Sequence, residues 1–203
     1  MFVDLTDFFD ERWLILGPMA GVNDPVFRSL CIEHGATLTY TEMVSSKALS
    51  YKNAKTKNLL QLAPNEEKVV VQLFGHEPQT MAKEAHNIEI ELGDRLAYID
   101  INMGCPARKI VKKGDGAALM TTPKLACEIV KACNDACKAP ITVKFRRGYN
   151  SGEDTSAKFA EQISRAGASA LCVHGRYATQ YYRGEADFSV AEKICEVVDI
   201  PVI

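Results

Sequence analysis

Apolar residues in this chain gather in short, nearly continuous runs, separated by longer stretches in which they recur every three or four positions. The runs cover 14–16, 38–42, 68–73, 97–101, 141–145 and 170–174. Continuous rather than alternating hydrophobicity is what a parallel strand needs when helices cover it. Between the runs, amphipathic helices are expected over 25–34, 78–92, 122–137, 154–166 and 188–197. Their ends carry physical signals. Asn23-Asp24-Pro25 offers an N-cap and then a proline in the first turn, where its missing N–H is harmless. Gly35, Gly93 and Gly167 stop three of the helices.

Strand and helix therefore alternate, which implies a parallel sheet with right-handed crossovers. A doubly wound sheet and a (β/α)8 barrel share that alternation. No Gly-x-Gly-x-x-Gly turn follows any strand, which weighs against a dinucleotide-binding sheet. The placement of polar residues decides for the barrel. Pro18-Met19, Glu42, Gln72, Asn102, Lys144 and His174 all stand at strand ends, and a barrel opens those ends onto one mouth, where its active sites are built. The expectation is an α/β chain folded as a (β/α)8 TIM barrel, incomplete here, with about six βα units. Ile200-Pro201-Val202-Ile203 reads as the opening of a seventh strand, whereas a complete barrel takes roughly 250 residues. On that reading residues 1–203 are a portion of a longer protein or a truncated product, or a second chain completes the sheet. Open sheet edges then invite self-association.

Composition narrows the function classes. The chain has 203 residues, 47% hydrophobic and 25% charged, with a formal net charge of -2. No global basic field announces a nucleic-acid partner, so any RNA-binding surface must be a local patch. The N-terminus carries acids where a signal peptide has a basic segment, and no run approaches the roughly 18 apolar residues of a membrane span. The expected location is cytoplasmic, without a membrane partner. Seven cysteines, an odd number without a secretory signal, argue against a disulfide framework. Cys127, Cys133 and Cys137 fall in one expected helix and lack the paired spacing of a zinc site, so no metal is expected. His34, His76 and His86 also lack ligand spacing and read as surface or capping residues.

Only Cys105 has an unusual setting. A buried strand delivers Asp100 and Asn102 to its end, Gly104 lets the backbone turn, and Cys105-Pro106 opens a loop. Arg108, Lys109, Lys112 and Lys113 follow at once. Cations beside a cysteine favour a thiolate, whereas a proton donor must rest as a thiol, and both states are compatible with these residues. Lys144, at a strand end, suits either an electrostatic role or a Schiff-base site.

Six runs in order carry a family resemblance. They are Pro18-Met19-Ala20-Gly21-Val22-Asn23-Asp24-Pro25-Val26-Phe27-Arg28, Thr41-Glu42-Met43-Val44, Val71-Gln72-Leu73-Phe74-Gly75, Asp100-Ile101-Asn102-Met103-Gly104-Cys105-Pro106-Ala107, Val143-Lys144-Phe145-Arg146-Arg147-Gly148 and Val173-His174-Gly175-Arg176. Together they resemble the signature of tRNA-dihydrouridine synthases of the bacterial type, over almost the whole chain. The resemblance implies an FMN-dependent (β/α)8 barrel followed by a C-terminal helical tRNA-binding domain. Such an enzyme reduces selected uridines of tRNA to 5,6-dihydrouridine, with NADPH reducing the flavin. It further implies that Pro18, Met19 and Ala20 line the flavin, that Gln72 and Lys144 hydrogen-bond its ring, and that His174 supports it. Asn102 and Arg176 would contact the substrate, and Cys105 would protonate C5 while reduced FMN gives hydride to C6. The family's phosphate-binding turns and its tRNA-binding helices would lie beyond Ile203, so weak FMN binding is expected of these residues alone.

Residue chemistry fits those roles. A reduced flavin carries negative charge near N1 and O2, which a lysine can offset, and a glutamine can donate and accept along the ring edge. The cations Arg108, Lys109, Lys112, Lys113, Arg146, Arg147, Arg176 and Arg183 should gather on one rim for the RNA backbone. Tyr177, Tyr181 and Tyr182 are candidates for stacking on bases. Alternative readings are a flavin-dependent reductase of free pyrimidines and an inactive truncated product.

Overall fold

In the computed structural model, which describes residues 13–203, the expected alternation is present. The strands are β1 (Ile15–Leu16), β2 (Leu38–Tyr40), β3 (Val44–Ser45), β4 (Val69–Phe74), β5 (Leu96–Met103), β6 (Ile141–Arg146) and β7 (Ala170–His174). The helices are α1 (Pro25–Glu33), α2 (Ser46–Ser50), α3 (Ala54–Asn58), α4 (Pro78–Leu92), α5 (Arg108–Val111), α6 (Pro123–Ala136), α7 (Ser156–Arg165) and α8 (Ser189–Cys195). Neighbours run β1-β2-β4-β5-β6-β7, and β3 pairs with the end of β4. All pairings are parallel, and Val202 adds a parallel bridge to Leu171 beyond β7. The sheet curls into an incomplete (β/α)8 barrel.

The long elements match the expected ones to within one or two residues. The short ones, β3, α2, α3 and α5, were not expected. Hydrophobic periodicity needs a window of roughly 11 residues to register, and none of these offers one.

Alternation along the strands separates two cores. Odd-numbered residues of β4, β5 and β6, such as Val71, Ile99, Ile101, Val143 and Phe145, pack outward against Met81, Ile88, Ile129, Phe159 and Ile163 of the helices. Even-numbered residues point into the barrel. At its floor they are apolar or aromatic: Leu38, Tyr40, Val70, Tyr98 and Ala170, with Trp13 and Ile15 against them. Towards the C-terminal ends of the strands the same face turns polar, and that change creates the site.

A buried ion pair fixes the first βα unit. Arg28 on α1 meets Glu66 through two bonds, Nε to Oε1 at 2.7 Å and Nη2 to Oε2 at 2.9 Å. Its remaining donors go to the carbonyls of Asn23 and Gln61. Both side chains are sealed from water, so the pair persists only because every polar atom has a partner. Among the described residues no helix is long and apolar enough to cross a membrane.

Candidate active site

Register places the polar residues in layers. Gln72 on β4 pairs with Asp100 on β5, which pairs with Thr142 on β6. One layer higher, Asn102 pairs with Lys144, and Lys144 with Cys172. Arg146 and His174 follow at the rim. Beneath them, the Tyr40 and Tyr98 hydroxyls meet at 3.0 Å and close the floor.

These layers open into a cavity of about 340 Å³. All the expected site residues except Arg176 line it: Pro18, Met19, Ala20, Gln72, Asn102, Cys105, Lys144 and His174. Arg176 stands just outside. Its guanidinium donates to the Gly184 carbonyl and lies 3.3 Å from His174 Nε2. Arg146 and Tyr182, expected at the rim for RNA, also stand in the cavity wall, and sequence reasoning missed Met43 there. Met43 stood in a quoted run, yet only the fold shows that it faces the cavity.

The loop bearing Cys105 is held from three sides. Asn102 Oδ1 accepts the N–H groups of Cys105 at 2.9 Å and Gly104 at 3.2 Å. The Cys105 carbonyl accepts from Ala117 N at 3.0 Å. Arg146 Nε donates to the Gly104 carbonyl at 2.8 Å. Gly116 adopts φ +60°, and a Cβ there would lie 2.7 Å from the Cys105 carbonyl oxygen. Only glycine fits that approach.

Glu42, beside the mouth, accepts the Gly21 N–H and so orients the loop after β1. Asn23 joins the same loop to β2 through the carbonyls of Gly17 and Tyr40, each at 2.9 Å.

Electrostatics at the mouth are set by burial and clustered cations. Burial, then the charges of Arg146, Lys144 and Arg176, hold the His174 imidazole down at about 4. At neutral pH it is an uncharged ring beside three cations. Burial pushes the Asp100 carboxyl up to about 6, against hydrogen bonds from Gln72 and Thr142 and the charge of Lys144. A concave surface of this kind, apolar at Met19 and Met43 and cationic at Lys144, suits a planar ligand with an anionic edge.

Several expectations need correction. Arg146 is 3% exposed and its Nη1 donates to the Tyr177 and Tyr181 carbonyls, so three of its five N–H groups tie loops together at the cavity wall and do not face an RNA backbone. Arg147 is neutralised by Asp154 and Asp187 and stacks on the Tyr177 ring at 4.6 Å. Tyr177 is thereby buried and unavailable for stacking on bases. Tyr182 remains exposed and lines the cavity. His76 is not a simple surface residue: its Nδ1 lies 2.7 Å from Asp115, which is nearly buried.

A second cavity, about 670 Å³, adjoins the first and shares Ala20 and Met43 with it. Lys47, Lys109 and Lys113 border it, with Glu77 paired to Lys47 at 2.8 Å. Among the described residues no group of three or more His, Cys, Asp or Glu is placed to hold a metal ion.

Residues 15–203 match the family model described as dihydrouridine synthase (Dus). The chain is 38% identical to tRNA-dihydrouridine synthase B of Vibrio parahaemolyticus over 190 residues, covering 94% of this chain and 58% of that protein. It is 41% identical to tRNA-dihydrouridine synthase B of Pseudomonas aeruginosa, covering 93% and 56%. It is 42% identical to a probable tRNA-dihydrouridine synthase of Treponema pallidum, covering 87% and 53%. The chain thus spans little more than half the length of these relatives.

Proposed function

Since the chain belongs to the dihydrouridine synthase family, we propose that its barrel mouth serves the FMN-dependent reduction of uridines in tRNA to 5,6-dihydrouridine, with NADPH as reductant. The observation that supports this reading best is the convergence of Cys105, Asn102, Lys144 and His174 on one cavity whose floor is closed and whose mouth is open.

The residues present fit a flavin. Met19 and Ala20 offer an apolar wall, Lys144 a cation for the anionic ring edge, and His174 an uncharged donor or acceptor. Gln72 contributes less freely than the sequence implied. Both ends of its amide are engaged, Nε2 with Asp100 and Oε1 with Asn102, which leaves one N–H for a ring atom. When bound, reduced FMN supplies the hydride that adds to C6 of the uracil.

The protein's own part is positional and protonic. Hydride addition at C6 leaves enolate character that must be quenched by a proton at C5, and the Cys105 thiol donates it. Asn102, fixed by the loop it anchors, has its second side-chain N–H on the Met43 thioether at 3.8 Å, a weak acceptor that a uracil carbonyl can replace. A base reaches so recessed a cavity only when extruded from its stack, and the exposed Tyr182 ring at the lip can receive its face. Arg176 reaches the same substrate from outside the cavity wall. Lys109 and Lys113, with Lys112 and Arg108, offer an exposed cationic rim for phosphates despite the net charge of -2.

Expression in a host lacking its own synthases, with dihydrouridine in bulk tRNA measured by mass spectrometry, tests the reading. Dihydrouridine should return with the full-length gene and not with its Cys105→Ala variant. Reduction of free uracil or orotate, without any change in tRNA, would overturn it.

A further inference from the structure

Asp100, on the inner face of the barrel, is a buried carboxylate that takes no part in lining the mouth. It is fully buried, and both oxygens are engaged: Oδ2 accepts from Gln72 Nε2 at 2.7 Å and Oδ1 from Thr142 Oγ1 at 2.6 Å. The same Gln72 accepts Asn102 Nδ2 on its Oε1 at 2.9 Å. Asn102 in turn accepts the Cys105 and Gly104 N–H groups on its Oδ1.

A carboxamide has two ends of the same shape and opposite polarity, so alone it does not specify which end faces which neighbour. A row of them is specified when its ends are tied to groups of one polarity. A carboxylate only accepts, and a backbone N–H only donates. Asp100 therefore requires the NH2 of Gln72, which turns Gln72 Oε1 to Asn102 and Asn102 Oδ1 to the loop. The loop's N–H groups require the same arrangement from the other end.

We propose that Asp100 is a positioning residue, acting through Gln72 to hold Asn102 with its oxygen towards the Cys105 loop. A protonated Asp100 has a donor of its own and lets Gln72 turn end for end. Asn102 then presents its NH2 to the N–H groups of Gly104 and Cys105, two donors meet, and the loop loses its anchor. Burial lifts the Asp100 carboxyl to about 6, so this change falls within an accessible pH range. The titratable and charged groups that face Asp100 are Lys144 on β6, Tyr40 on β2, Tyr98 on its own strand and Cys172 on β7. Burial raises the two tyrosines and Cys172, so they stay uncharged at neutral pH. His174, at about 4, titrates well below Asp100.

Nuclear magnetic resonance of the 15N-labelled chain tests this without substrate. The side-chain amides of Gln72 and Asn102 and the backbone amides of Gly104 and Cys105 are followed from pH 8 to pH 5, in wild type and in Asp100→Asn. Asparagine keeps the shape but can offer Gln72 either end and does not titrate. The wild-type signals should move together with a midpoint near 6, and that shared midpoint should vanish in Asp100→Asn. Signals that stay fixed in wild type, or titrate alike in both proteins, overturn the proposal. Its consequence for turnover rests on the dihydrouridine reading. Asp100→Asn should then lower the rate at neutral pH by about tenfold or more, with the KM for tRNA within about twofold. An active wild type matched by an equally active Asp100→Asn refutes the positioning role. A wild type that makes no dihydrouridine refutes the functional reading instead and leaves the resonance result standing.

Discussion

Asn102 Oδ1 lies 2.9 Å from the backbone nitrogen of Cys105, so a strand residue holds the reacting loop while its own amide faces the same cavity. Losing either residue should have different signatures. Cys105→Ala removes the proposed proton donor and leaves the loop's backbone bonds intact; the rate of dihydrouridine formation should fall about 10²–10⁴-fold with the melting temperature nearly unchanged. Asn102→Ala also strips the Gly104 and Cys105 N–H groups of their acceptor, a cost of about 1–3 kcal/mol. It should lower both rate and urea midpoint, and an unchanged midpoint would contradict the anchoring role.

Much of this was legible in the sequence for a definite reason. Strand parity alone carries Gln72, Asn102, Lys144 and His174 to one mouth, because even-numbered positions of neighbouring strands share the inner face. Arg146 shows where such reasoning stops. It is even-numbered and cationic, so it reads as a mouth residue for RNA, and it does line the cavity; but three of its five N–H groups are spent on carbonyls of distant loops. Which carbonyls a long side chain will find depends on how loops return over the barrel, and no periodicity encodes that. Tyr177 is hidden for the same reason, beneath the Arg147 guanidinium.

Acid sensitivity should carry opposite contributions from two buried groups. His174 sits at about 4 in the folded chain, below its usual 6.5, so the unfolded chain binds more protons between those values. Its contribution to stability is lost as pH falls through that window. Asp100 sits at about 6, above its usual 3.8, so the folded chain binds more protons there, and stability falls as pH rises from about 4 to 6. Relative to wild type, Asp100→Asn should therefore fare better at pH 7.5 than at pH 5, and His174→Gln the reverse. Urea unfolding of the three proteins at both pH values checks the signs, and shifts in the same direction would be incompatible with these environments.

Lys109 and Lys113 border the second cavity and are exposed. If they meet phosphates, each contact removed should reduce the slope of log K against log salt by roughly 0.7–0.9. Lys109→Ala/Lys113→Ala should thus bind tRNA more weakly at low salt and with a shallower salt dependence. Lys131→Ala, on the outer helix α6 and paired with Asp135, should leave the slope alone. Binding titrations across a range of potassium chloride concentrations decide it, and parallel slopes for all three proteins would remove this rim from the RNA interface.

Two glycines in the loop after Cys105 separate backbone strain from pressure on the thiol-bearing residue. Gly114 and Gly116 both hold positive φ, +86° and +60°, so alanine at either costs about 1 kcal/mol or more in strain. Their surroundings differ. A Cβ at Gly114 meets only the His76 ring, at 3.8 Å, whereas one at Gly116 meets the Cys105 carbonyl at 2.7 Å and the Cys105 Cβ at 3.2 Å. Neither neighbour is the free end of a flexible side chain, so the Cys105 backbone itself must move. Gly114→Ala should lower stability with modest loss of turnover, while Gly116→Ala, which adds the clash to the same strain, should be destabilised further and lose turnover on the scale of Cys105→Ala. Urea midpoints beside single-turnover rates distinguish the two. Equal rate losses in the two folded variants would mean that loop strain, and not the placement of Cys105, limits the reaction.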